Sequence, residues 1–294
     1  MELIKRLRFL LPLLVFASCE DVIQVSVDQG PPKLVVDAFV SNIIKPQTIR
    51  LTRSINYFDS SGSEPGVEGA TVLLVDTSNF KIFPFADQGQ GEYVFNPNPA
   101  TGDTFTIGRS YTLLIASGSD TFVSFSTLNR TTQVDSIMRI PVEGNGPPFI
   151  TTGCYLDLIA YDLPGPGDFW WVKTYRNDTF QNRIDQLNLA ADMGNTNNGL
   201  DGGMFIYPVR TGISDRTRSF QAGEEVRVEI HSISREAYYW FLLVQNENFN
   251  GGLFATPPAN IPTNIVNINP AKKTPLAGFF CMTATNPFTY IVKD

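Results

Sequence analysis

The chain has 294 residues, 43% of them apolar and 12% aromatic, which is ample for packed cores and excludes disorder as the default. Its formal charge is −7, and it becomes −9 for a chain starting at Cys19, because residues 1–18 carry three basic side chains and one acidic one. That balance argues against nucleic acid or anionic lipid headgroups as partners, since both call for clustered Lys and Arg.

The first residues have the three parts of an export signal: basic Lys5, Arg6 and Arg8, an apolar run from Phe9 to Phe16 broken by Pro12, then small Ala17 and Ser18. The apolar run is far shorter than the ~20 residues that span a bilayer, so a permanent transmembrane helix is not expected. A cysteine directly after Ala-Ser is the pattern of a bacterial lipoprotein, with Phe16 where an aliphatic residue is usual. The expectation is a signal peptide over 1–18 and acylation of Cys19 as the new N-terminus; an ordinary signal with a coincidental cysteine is the alternative. Each lipid methylene buried in the membrane would contribute about 0.8 kcal/mol. Residues 19–32 read as a tether that ends at Pro31 and Pro32.

Short strands follow in quick succession. The segments "KLVVDAFV" (33–40), "TIRLTRSI" (48–55), "ATVLLVD" (70–76), "FKIFPF" (80–85), "GEYVF" (91–95), "SYTLLIA" (110–116) and "TFVSFSTL" (121–128) are apolar or alternating, and most are separated by Gly, Pro, Asn or Asp. They predict a β-sandwich domain over 33–130. A second β-rich domain is expected over 131–294, with strands at "CYLDLIAYDL" (154–163), "FWWVKTY" (169–175), "EEVRVEIHSI" (224–233), "LAGFFCMTA" (276–284) and "FTYIVK" (288–293). One helix is expected near 235–248, since Ser234 is a good N-cap and Glu236 places negative charge in the first turn.

Little in the sequence carries chemistry. The single histidine, His231, falls on the polar side of an alternating strand and reads as solvent-facing; no G-x-S-x-G elbow or phosphate-binding loop accompanies it. No cofactor and no zinc site are expected. The loop containing Asp192, Asn195, Asn197 and Asp201 offers oxygen ligands for calcium but lacks EF-hand spacing, so a polar turn is the favoured reading. Glu224, Glu225, Glu64 and Glu68 read as solvated turn charges. Cys154 and Cys281 are either a disulfide suited to an oxidising compartment or two buried thiols. Aromatic residues cluster at Trp170, Trp171 and Tyr175 and again at Tyr238, Tyr239 and Trp240. Alternation puts Trp170 opposite Phe169, Trp171 and Tyr175, so at least one tryptophan can point away from the core; core is the favoured reading for most of these rings, and Trp170, with Trp171 and Tyr175, is the candidate ligand contact to test.

Taken in order, "CED", "KLVVDAFVSN", "IRLTRSINYFD", "PGVEGATVLLVD", "GRSYTLLIA", "GEEVRVEIHSISREAYYWF", "ATPPANIPTNI" and "LAGFF" resemble a family of Bacteroidota lipoproteins catalogued as domain of unknown function 4249. The resemblance implies an N-terminal immunoglobulin-like or transthyretin-like sandwich and a second β-rich part. It also implies attachment to the outer membrane and genes beside TonB-dependent receptors. Glu20 and Asp21 resemble the signal that sends such lipoproteins to the cell surface. No catalytic residue can be carried over. After Ile265 the chain departs from the family pattern, with "VNINPAKKTP" replacing a short Gly-rich link. The expected function is a non-enzymatic surface lipoprotein accessory to a TonB-dependent receptor. A free-standing carbohydrate- or peptide-binding module is the alternative, and a carboxylate hydrolase the third choice.

Overall fold

The computed structural model describes residues 30–55, 62–142, 150–191, 201–252, 255–257, 259–271 and 274–293. The signal segment, Cys19 and the first three calcium-candidate residues (Asp192, Asn195 and Asn197) lie outside them. The protein is mainly β, as its alternating segments predict.

The larger sheet begins with β1 (Leu34–Ser41), β2 (Gln47–Arg53), β3 (Thr71–Asp76), β4 (Ile82–Asp87), β5 (Glu92–Phe95), β6 (Ser110–Ser117) and β7 (Asp120–Thr127). Their inward residues, among them Val36, Ile49, Leu74, Tyr93, Leu113 and Phe122, form one apolar core. Two strands from the end of the chain complete this sheet. β14 (Val266–Asn267) pairs with β7, and β15 (Leu276–Thr283) pairs in parallel with β1, giving the order β14-β7-β6-β3-β4-β5-β2-β1-β15. Phe280 and Met282 of β15 enter the same core.

The sheet is nearly closed into a barrel-like sandwich. Side chains satisfy the outer edge of β15, which would otherwise present unpaired backbone groups. The Asn264 amide donates to the Phe280 carbonyl at 2.8 Å and accepts from its N–H at 3.0 Å, while Ser126 Oγ of β7 accepts from Met282 N–H at 2.8 Å.

The second part is built from β8 (Val134–Pro141) and β9 (Cys154–Ala160), which pair with each other. A further sheet contains β10 (Phe169–Arg176), β11 (Thr179–Phe180), β12 (Asn188–Ala191), β13 (Glu225–Ile233) and β16 (Pro287–Ile291). A five-residue helix, α1 (Tyr207–Thr211), and a fifteen-residue helix, α2 (Arg235–Phe249), complete it. α2 starts where the sequence places it, with Ser234 Oγ accepting from the Ala237 N–H.

One face of β10 and β13 packs against β9 and α1 through Trp170, Val172, Val228, Ile230, Leu156, Leu158 and Val209. The opposite face is also covered. Phe169, Trp171 and Ile233 meet α2 and the outer side of β15, through Ala237, Phe241, Phe279 and Cys281. β13 is further tied to the chain after β15 by a pair of Ser232–Ala284 bonds, each 2.8 Å.

This arrangement corrects the division expected at residue 130. The stretch 131–294 is not self-contained, because 266–267 and 276–283 are strands of the first sheet, and residues 32–294 form one compact unit. Pairing across more than 200 residues of chain leaves no local trace in sequence.

Candidate functional site

A cleft of about 520 Å³ opens where β1, β2 and β15 meet α2 and residues 259–261. Strand alternation builds it. Even-numbered residues of β1 enter the sandwich core, so Val35, Asp37 and Phe39 are left on the cleft side. Phe279 of β15 and Trp240 of α2 pack on each other with ring centroids 5.4 Å apart, and Phe39 lies 6.1 Å from Trp240, so the three rings form one aromatic wall of the cleft. Gly278 lets β15 approach β1. It has φ +93°, and a Cβ there would lie 2.0 Å from the Val36 carbonyl oxygen.

Asp37 is the unusual group in this cleft. It stands in register with Arg50 of β2 and Phe279 of β15, and no hydrogen bond or ion pair reaches it among the described residues. Its side chain is exposed on the cleft side of β1, with the surrounding protein partly desolvating it. Burial lifts its pKa above the ordinary range, the charges of Lys173 and Arg50 oppose that rise, and Glu64 adds to it. The other charges of the lining have partners: Lys33 Nζ donates to Asn260 Oδ1 at 2.7 Å, Glu64 accepts from Thr52 Oγ1 at 3.4 Å, and Arg50 approaches Glu92 at 3.8 Å. An exposed carboxylate beside aromatic rings in one cleft is a counter-charge for a cationic group carried on an apolar body.

An ionic ladder lies in the seam beside this cleft. Registered pairs on β10 and β13 run Phe169–Ile233, Trp171–His231, Lys173–Glu229 and Tyr175–Arg227, so one face grades from apolar to charged. Glu229 accepts from Arg227 and from His231 Nε2, the latter at 2.9 Å, while His231 Nδ1 lies 3.1 Å from Thr283 Oγ1. With Nε2 donating to the carboxylate, Nδ1 accepts from the threonine hydroxyl. Burial and the nearby Lys173 charge push the His231 pKa down to about 4, against the pull of Glu229. Burial likewise lowers Lys173 to about 8, and its ammonium sits 4.0 Å from the centre of the Trp171 ring. Burial alone would raise Glu229, but the His231 hydrogen bond and the charges of His231, Arg227 and Lys173 hold it low.

The structure moves several residues from where the sequence puts them. His231 is buried, at 3% exposure, instead of solvent-facing, because the polar side of β13 is roofed by the first sheet. Trp170 is fully buried and packs 5.1 Å from Phe205, so it does not contact a ligand from the surface; both faces of its strand are covered. Trp171 is half-buried in the seam, 4.6 Å from Phe241, and Tyr175 lies beneath Arg227 at 3.8 Å. Neither lines the cleft. Cys154 and Cys281 are buried free thiols in different apolar clusters, not a bridge.

Asp201, the one described member of the calcium candidate, accepts from the Gly165 N–H at 2.9 Å, and no metal-ligand cluster occurs among the described residues. Glu64, read as a solvated turn charge, lines the cleft, and Glu224 is paired with Arg176 at 2.9 Å. Trp240 belongs to the second aromatic cluster of the sequence. Asp37, Phe39 and Phe279 were missed, although a lone carboxylate inside "KLVVDAFV" was a visible signal.

The fold and this cleft define a mainly β protein, a nearly closed sandwich buttressed by a second sheet and carrying an aromatic cleft at the junction. The chain belongs to the family described as domain of unknown function 4249, whose model matches residues 20–285. A comparison with curated proteins finds no match. Five segments that carry the resemblance, around Asp37, Arg50, Trp240, Asn260 and Phe279, meet at this cleft.

Proposed function

We propose that the protein is a non-enzymatic lipoprotein, anchored in the outer membrane through Cys19 and facing the cell exterior, which captures a nutrient for a TonB-dependent transporter. The cleft carries the binding part of this reading: Trp240, Phe39 and Phe279 line it together with the carboxylate of Asp37, which forms no ion pair among the described residues. Its ligand has an apolar body and a cationic group, as a short basic peptide does. Attachment rests on the lipoprotein pattern at Cys19, and the transporter rests on what the family resemblance implies. A free-standing carbohydrate- or peptide-binding module is the second reading, favoured by one observation: a single chain supplies all the walls of the cleft.

The test uses the full-length protein extracted from its native membrane in mild detergent. A stoichiometric β-barrel receptor should accompany it, and recovery alone would favour the second reading. Labelled fatty acid should enter the protein but not its Cys19→Ser variant, which should also leave the membrane; a labelled, membrane-bound variant would refute the anchor. Lysyl-phenylalanine, used as a probe, should quench tryptophan fluorescence, and Asp37→Asn should weaken this binding about tenfold, a loss of ~1.4 kcal/mol. Hydrolysis of the probe that depends on Asp37 would show an enzyme instead.

A further inference from the structure

A larger cavity, about 800 Å³, lies away from the aromatic cleft, at the Arg176 end of β10. It is bounded by residues 179–186 and by the loop 212–218. Four guanidinium groups line it, those of Arg176, Arg183, Arg216 and Arg218, against the two carboxylates of Asp185 and Asp215. This excess of positive charge occurs in a chain whose formal charge is −7.

The four arginines differ in their commitments. Arg176 is buried and bound to Glu224, and Arg183 is held by Asp185 and, at 3.5 Å, by Asp215. Arg216 and Arg218 are exposed and form no ion pair among the described residues, although the charge of Arg218 bears on Glu224. The Arg216 guanidinium donates to the Tyr207 hydroxyl at 3.3 Å, lies over Tyr155 at 5.1 Å, and its charge also bears on the buried Asp157. Arg218 also borders a second cavity of about 420 Å³ and so stands on the ridge between the two.

The loop presenting them is fixed in advance. Ser214 Oγ donates to the Leu156 carbonyl and accepts from the Leu156 N–H, both at 2.7 Å, which fastens the loop to β9. Asp215 Oδ1 accepts from the Thr217 N–H at 2.8 Å and from its hydroxyl at 2.6 Å. Two forked donors held on a rigid loop suit planar or tetrahedral oxyanions.

The rest of the lining narrows the ligand. Thr179, Gln181, Asn182 and Gln186 can each donate and accept, as sugar hydroxyls require, and Phe180 offers a ring face. An acidic peptide seeking an open strand would find the neighbouring edge of β10 already taken by β11 and β12.

We propose that this groove is a binding site for an acidic oligosaccharide, with Arg216 and Arg218 receiving its carboxylate or sulfate groups. The site is independent of the aromatic cleft, so either can fail without the other.

Calorimetric titration of the full-length protein in mild detergent tests it, with oligogalacturonate, its methyl ester, a sulfated dextran fragment and poly-glutamate as probes. Oligogalacturonate or the sulfated fragment should bind, and which binds tighter separates carboxylate from sulfate recognition. The Arg216→Ala/Arg218→Ala double variant should weaken that binding at least tenfold, and added salt should weaken it too. A Lys45→Ala/Arg235→Ala control, which removes equal charge from exposed positions outside the groove lining, should bind as the parent does. Binding of neither anionic sugar, equal binding of the methyl ester, tighter binding of poly-glutamate, or an unaffected double variant would each overturn the proposal.

Discussion

Glu229 shows how much one side chain can hold in place. It is buried, at 2% exposure, with Arg227 and His231 bonded to it and Lys173 opposite it in the ladder. Glu229→Gln removes the countercharge and leaves cations in a desolvated seam. We expect a loss of about 3–5 kcal/mol, read as a lower urea midpoint. His231 adds a pH dependence of definite sign. It stays neutral in the fold down to about 4, whereas an unfolded histidine takes a proton near 6.5. Between those values the unfolded chain binds more protons, so stability falls on acidification, by on the order of 3 kcal/mol across the window. Denaturation at about pH 7 and pH 4.5 should show this slope in the parent and a smaller one in His231→Gln. Cys281 needs no bridge to be inert. Burial raises its pKa to about 11, so the thiolate that reacts is scarce at neutral pH.

At the scale of elements, β15 is the piece on which both the sandwich and the cleft depend. In its parallel pairing with β1, Gly278 stands in register with Val36, where a side chain would meet the Val36 backbone. Gly278→Ala combines a strained φ with a backbone clash, so about 3 kcal/mol or more should be lost and the walls of the cleft displaced. Thermal unfolding and tryptophan fluorescence would register the two effects. Helix α2 offers a milder change. Ser234→Ala removes the one side-chain bond at its N-terminus and should cost about 1 kcal/mol, with the aromatic wall kept in place. A loss near zero in urea titration would mean that tertiary packing alone sets the start of the helix.

For the whole molecule, the interleaving of the two chain ends makes a prediction about folding. A fragment of residues 33–130 would lack β14 and β15, and with them Phe280, Met282 and the seal on the β1 edge. Expressed alone, it should not give the dispersed NMR spectrum of a folded sandwich, because an open apolar edge invites association. Mixing it with a 131–294 fragment should restore the fold. A stable, monomeric 33–130 fragment would show that the final strands merely decorate the sandwich.

What the sequence determined by itself is what local pattern encodes. Alternation in "KLVVDAFV", "TIRLTRSI" and "EEVRVEIHSI" gave strands, Ser234 and Glu236 gave the start of α2, and the ordered segments gave the family. Alternation assigns residues to two faces but cannot say whether the second face meets water or another sheet. That is why alternation alone leaves His231 facing water and Trp170 a candidate for the surface, whereas both sides of β10 and β13 are covered. Only the tertiary structure decided that the end of the chain would pair with its beginning. The aromatic cleft exists because of that pairing: Asp37, Trp240 and Phe279 are separated by long stretches of chain and meet where β1, β15 and α2 pack.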